Sequence, residues 1–359
     1  MTQTETAAPP QPVDWELAER VARRFAGREP IAASYLSGSL HSDFSAVTTE
    51  AEELVADFTG LHAPGTASAC VLDRPQWVHA NVASMRRMLY PLTARVGERM
   101  ARSPVAPIGR RVAGTEMGVL LGFMAQRVLG QYDLLVPDEA GSETTSGSDA
   151  VYYVGANILA LEKRYAFRPR DFRLWIAIHE VTHRAQFTAI PWMKQYFLSL
   201  VEQALAIVDP DPGRLVQAMV RAADELRRGR NPLDEGGLVA LFASQQQRGV
   251  LAQVQALMSL LEGHGNSVMN SLGRAHVAGH ERMARVLQAR RRSRGVAGIL
   301  YKLLGLESKL RQYELGETFV AAVERAAGPR AIDAAWRGPE YLPTIDELTR
   351  PSEWLSRVA

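Results

Sequence analysis

The chain holds one cysteine, Cys70, in 359 residues. An intrachain disulfide is thereby excluded, and so is any metal site built on a thiolate cluster; a metal bound here must rely on imidazole and carboxylate. Net charge is also scarce. With 41 basic against 39 acidic residues the balance is +2, so no bulk field favours nucleic acid or an anionic membrane, and neither partner is expected. The one basic run, Arg290 to Arg294 in ARRRSRG, reads as a solvated helix end. No uncharged apolar stretch approaches the ~18 residues that span a bilayer. The opening MTQTETAAPPQPVDW has no basic region ahead of an apolar core, so it does not read as a secretory signal, and a cytoplasmic protein is expected. No glycine-rich phosphate loop follows a strand.

What is present is the composition of an ordinary globular protein, 47% hydrophobic and 22% charged, long enough to bury a sizeable core. Residues 1–12, rich in Pro, Thr and Gln, are expected to be a disordered tail, and 13–359 a single domain with a helical part (13–130), a ribbon with the metal-site helices (131–280) and a second helical part (281–359). Helical spacing marks Trp15 to Phe25, then Thr49 to Phe58 stopped by Gly60. Asp73-Arg74-Pro75 is a helix start; His79, just beyond it, reads as a structural histidine. Gly114, Gly118 and Gly122 form a ridge that lets another helix backbone approach.

Tyr132 to Val136 and Val151 to Val154 are short apolar runs that could pair as an antiparallel ribbon, the second offering an edge for an extended peptide. Further helices are expected at Trp192 to Val208, Arg214 to Arg228, Leu238 to Leu261, His280 to Arg292, Ile299 to Gly305 and Leu310 to Ala327. A proline-rich tail anchored by Trp336 and Trp354 follows. The class is mostly α, of the α+β type.

The chemistry is concentrated in DFRLWIAIHEVTHRAQFT, Asp171 to Thr188, with Asp171 as the expected N-cap. His179 and His183 are four apart, so on a helix both imidazoles address one point while Glu180 stands beside them. Two neutral histidines can hold zinc, and the neighbouring carboxylate can take a proton from water. Phe172, Trp175, Ile176 and Phe187 share the histidine face, which is expected to turn toward the core.

A catalytic zinc needs a third protein ligand. The candidates are Glu262, His264, His276 and His280. Glu262 leads, because a carboxylate near the end of a long helix crossing the first can reach the metal, with Gly263 leaving room; His264 follows. Asn266, one turn after Glu262, could fix a ligating histidine's tautomer. His276 and His280 are separated by Gly279 and read as loop residues. Tyr313, Arg311 and His264 are candidate oxyanion donors.

HEVTHRAQF followed by LEGHGN resembles the gluzincin arrangement of zinc metallopeptidases, H-E-x-x-H and then a downstream glutamate. With DRPQWVHAN, LEGHGNSVMN and LRQYELGETFV, the chain from about Val13 is similar to a bacterial family of zincin-like metallopeptidases, some of whose members are labelled as associated with deazaflavin coenzyme biosynthesis. The resemblance implies a zincin-like core with many surrounding helices, Zn2+ held by His179, His183 and Glu262, and Glu180 as general base. Asn266 departs from the acidic residue many gluzincins carry there, and Glu262 lies 79 positions beyond His183, a long separation for that class. The expected activity is zinc-dependent hydrolysis, with a peptide or small amide as substrate; the alternatives are a non-catalytic zinc-stabilised scaffold and a zinc hydrolase of a small amide or ester.

Overall fold

The structure is a computed structural model that describes residues 11–27, 29, 37–90, 106–134, 149–206, 245–292 and 307–359. In chain order the elements are α1 (Trp15–Ala26), α2 (Leu40–Thr59), β1 (Ser68–Leu72), α3 (Arg74–Met88), α4 (Ala106–Ala125), β2 (Gly130–Tyr132), β3 (Ala150–Val154), α5 (Gly155–Tyr165) and α6 (Pro169–Thr188). Then come α7 (Met193–Ala206), α8 (Gln245–His276), α9 (His280–Arg292) and α10 (Glu307–Ala327). Two short 3-10 turns, Ala331–Trp336 and Pro339–Tyr341, lead into α11 (Ile345–Thr349) and α12 (Pro351–Val358). The class is α+β, mostly helical around a small mixed sheet.

Local rules account for most boundaries. The Asp73 carboxylate accepts from the Gln76 backbone N–H while the Gln76 side chain accepts from Asp73 N–H, a capping box that starts α3 at the expected place. Gly60 ends α2 in the left-handed conformation at φ 71°. That helix begins nine residues before the expected Thr49, because Leu40, Phe44, Val47, Ala51 and Val55 continue the buried stripe toward the N-terminus. The glycine ridge lies under α1: a β-carbon at Gly114, Gly118 or Gly122 would stand 2.5–2.7 Å from atoms of Asp14, Ala18, Val21, Ala22 or Phe25.

The sheet order is β1-β3-β2. β2 and β3 pair antiparallel, Tyr132 opposite Val151, but β2 ends where the expected strand began, and 135–148 lies outside the described residues. β1 pairs parallel to β3 and was not anticipated; SACVL is too short and mixed to show a strand period. β3 is therefore the central strand and has no free edge, which removes it as a seat for an added peptide strand.

α6 runs through the middle, packed by α2, α8, β2, α7 and α9. Its first residue is Pro169 and its N-cap Arg168; Asp171 lies in the first turn instead. Phe172, Leu174, Trp175, Ile178 and Val181 join the largest core cluster with residues of α2, β3 and α8. Each large side chain so buried stabilises the fold by about 1.5–3 kcal/mol. α8 does not end near Glu262 but continues to His276, and Gly279, at φ 76°, separates it from α9.

Residues 1–10, Arg214 to Arg228 and Ile299 to Gly305 lie outside the described residues, as does the start of the helix expected from Leu238. The tail is anchored as expected: Trp354 is buried against Phe319, and its indole N–H donates to the Tyr341 carbonyl. Among the described residues no helix is long and apolar enough to cross a membrane.

Candidate metal centre

Three side chains from two helices converge. On α6 the Nε2 atoms of His179 and His183 lie 3.2 Å apart, with their rings nearly perpendicular. From α8 the Glu262 carboxylate oxygen Oε2 stands 3.8 Å from the first and 3.7 Å from the second. Ligand atoms about 2.0–2.2 Å from a tetrahedral zinc are separated by about 3.3–3.6 Å. The triangle matches that spacing to within a few tenths of an ångström, and two neutral nitrogens with one carboxylate are a zinc donor set. This is the one such cluster among the described residues. The rings are largely enclosed, 15% and 14% exposed, on the helix face they share with the buried Phe172, Trp175 and Ile176.

Gln186, which the sequence reading passed over, orients His183. Its side-chain NH2 donates to the Leu261 carbonyl at 3.0 Å, an atom that can only accept. The amide oxygen therefore faces His183 Nδ1 at 2.9 Å, which must carry the proton, and Nε2 presents a lone pair to the other two groups. The same NH2 donates to His264 Nδ1 at 2.9 Å. His264 is thus buried behind Gln186, edge-on to Trp336, rather than directed at the triangle. Burial, then the nearby His183, lowers its pKa to about 4, so it is neutral and suited to accept. Gln186 had one signal in the sequence: it stands three and seven positions after the histidines, on their face of the helix.

Glu180 is buried against the sheet. Asp133 N–H donates to the Ala150 carbonyl and Val154 N–H to the Leu129 carbonyl, so the odd-numbered residues of β2 bond to β3. Gly130 and Tyr132 turn their backbone groups the other way, and Tyr132 N–H donates to the Glu180 carboxylate. A β-carbon on Gly130 would stand 2.5–2.7 Å from Cγ, Cδ and Oε1 of Glu180, so only glycine admits the carboxylate here. Burial first, then Glu262, raises the Glu180 pKa to about 8, against the lowering effect of the Tyr132 N–H. A divalent cation beside it would act in the opposite direction.

Gly263, expected to make room for the ion, instead touches the backbone of Gly316 on α10, where a β-carbon would come within 2.3 Å. The glycine against the imidazoles is Gly265, whose β-carbon would lie 3.2 Å from His183 and 3.4 Å from His179. Asn266 makes no hydrogen bond to a histidine ring; both polar atoms of its buried side chain lack a protein partner. His276 closes α8 and His280 opens α9, away from the triangle, and His79 pairs with Glu19 on the surface. Arg311 and Tyr313 lie on α10 where side chains fall outside the described residues.

The profile of the zincin-like metallopeptidase family matches residues 13–355 of the chain. Among solved structures, one from Chloroflexus aurantiacus, described as a "putative hydrolase with a novel fold", is 32% identical to this chain. The likeness covers 96% of this chain and 98% of that one at a TM-score of 0.69. Among curated proteins, none matches.

Proposed function

The chain belongs to the zincin-like metallopeptidase family, and from that membership we propose that zinc is its metal, that His179, His183 and Glu262 hold it, and that Glu180 is the general base of peptide-bond hydrolysis. The observation that carries the reading is the triangle of Nε2, Nε2 and Oε2 with sides of 3.2, 3.8 and 3.7 Å. The description of the Chloroflexus protein, "putative hydrolase", agrees with the reaction class.

Bound there, zinc would polarise a scissile carbonyl and lower the pKa of water toward ~7. Glu180 then takes a proton from the attacking water and returns it to the departing amine. Tyr132 N–H holds that carboxylate in place, and Gly130 leaves it the room. Gln186 keeps the His183 proton on Nδ1. Because Gln186 also engages His264, the first three groups are favoured as the ligand set, with the fourth position open; a closed, four-ligand site would mark a structural metal.

The test is Glu180→Gln. Metal analysis should find the zinc content of the parent, while peptide hydrolysis falls by about 10²–10⁴. Equal turnover by the variant would remove Glu180 from the mechanism, and a protein that takes up no metal would remove the zinc reading altogether.

A further inference from the structure

Glu262 reaches the imidazoles from a helix that is gripped on both sides. At 3.6 residues per turn, Gly263 lies about 100° round α8 from Glu262 in one direction and Gly265 about 60° round in the other. Gly265 faces α6, where a β-carbon would stand 3.2 Å from His183 and 3.4 Å from His179. Gly263 faces α10, where a β-carbon would run into the Gly316 carbonyl and stand 2.8 Å from the Glu317 nitrogen. Seen from α10, a β-carbon on Gly316 would overlap the carbonyl of Ser259, three residues before Glu262. α8 and α10 therefore touch backbone to backbone within one turn of the third candidate ligand.

Neither helix has slack. Behind α10, Phe319, Val320 and Val323 are buried in one cluster with the tail, Phe319 edge-on to Trp354. On the other side of α8, Val268 and Leu272 share the largest core cluster with α6. Helices separated by ordinary side chains stand about 8–10 Å apart between axes, and a methyl group needs about 3.5–4.0 Å from each carbon it meets. A methyl placed at the Gly263–Gly316 crossing would thus force α8 to slide or turn by about 1 Å, and the Glu262 carboxylate with it. Metal–ligand distances tolerate about 0.2 Å.

We propose that Gly316 is a positioning residue for the metal ligand Glu262: it admits α10 against the α8 backbone and so sets the distance from which the carboxylate meets the two imidazoles. The proposal rests on the zinc-site reading above and extends that site to a third helix. It also gives the C-terminal tail a part in metal binding, since the tail backs α10, α10 backs α8, and α8 presents Glu262. Coupling of this kind is reciprocal. If the crossing places Glu262 for zinc, zinc at Glu262 must in turn tighten the crossing.

Two measurements on the full-length protein test this. The first compares Gly316→Ala with Gly118→Ala, which puts the same methyl into the α1–α4 crossing, 2.6 Å from Ala18 and 2.7 Å from Val21. Both should lower the melting temperature of metal-free protein. Only Gly316→Ala should weaken zinc binding, by about 10–100-fold, in competition with a zinc-binding dye at a temperature where each variant is folded. In Glu262→Ala, which already lacks the ligand, adding Gly316→Ala should cause no further loss. Parent affinity in Gly316→Ala, an equal loss in Gly118→Ala, or the same loss with and without Glu262 would overturn the proposal. The second measurement needs no change at the crossing and so decides the matter even if Gly316→Ala does not fold. Amide hydrogen exchange is followed with and without zinc. Zinc should slow exchange from Gly316 to Val323 as well as around His179 and His183, and in Glu262→Ala it should slow only the histidine turn. Protection of α6 and α8 without α10 overturns the positioning role and leaves the zinc site intact. A parent that takes up no zinc overturns both.

Discussion

α6 buries polar groups on two sets of terms. At its ends two arginines are fully answered: Arg173 makes a bidentate pair with Glu162 at 2.8 and 2.9 Å and reaches Asp43, and Arg184 bonds Asp149, Glu52 at 2.6 Å and the Pro64 carbonyl at 2.7 Å. Between them, the His179–His183 turn gathers two imidazole nitrogens and the Glu262 carboxylate around one point, with Glu180 buried close by and its proton affinity raised. The two guanidinium groups are satisfied within the protein. On the reading proposed above a cation would complete the middle, and one helix can carry both because the clamps fix its position whatever the central turn holds.

The largest effect that would break this comparison is on stability. Arg184→Met leaves the half-buried Asp149 and Glu52 without their partner and should lower stability by up to about 3–5 kcal/mol in metal-free protein. His183→Ala, one residue away, should abolish zinc binding and leave the metal-free melting temperature within a few degrees. Denaturation of both variants in chelator separates the two regions; equal losses would show that the histidine turn is as structural as the clamps.

An intermediate effect sharpens it. Gln186→Leu keeps shape and burial but removes the acceptor for His183 Nδ1 and the donor to His264. Zinc affinity should fall about 10–100-fold, as for other groups that orient a ligating histidine. Gln186→Glu, which restores an acceptor toward His183, should recover part of that loss. Competition with a zinc-binding dye measures both, without recourse to activity. Affinity unchanged in Gln186→Leu would mean that the amide only fills space.

Some of this was legible in the sequence and some could not be. The spacing of His179, Glu180 and His183 announces its geometry because helical periodicity converts four positions into one direction. The Asp73 capping box, the Gly60 stop and the glycine ridge are equally local or periodic. Glu262 could be favoured only by its neighbourhood, since the 78 residues between it and His183 carry no spatial information. Gly130 and Gly265 were invisible as site residues: a glycine's meaning depends on what approaches it, and here that is a carboxylate 50 residues on and rings more than 80 residues back. Gly263, Gly265 and Gly273 also lower helix propensity enough to suggest that α8 stops, whereas contacts with α10 and α6 carry it through to His276.

The smallest effect concerns a closed network far from the site. In the tail, Glu347 accepts from Arg357 at 2.7 and 3.0 Å and from Thr344 N–H at 2.8 Å, and these bonds, the Arg357 pair first, hold its pKa below the usual carboxylate value against the opposing effect of burial. A lowered folded-state pKa favours the folded protein above the unfolded value of about 4.5, and that contribution disappears as pH falls through the folded value. Glu347→Gln should therefore melt below the parent at pH 7, with the gap closing as pH drops below about 4.5, and it should leave zinc affinity untouched. The N-terminal hydrogen bond of α11 survives in the variant through the glutamine oxygen, so the loss at pH 7 should be at most about 1 kcal/mol. A gap of constant size across the pH range would trace the loss to packing against Arg357 instead of charge, and the tail would then be held by shape where α6 is held by paired charge.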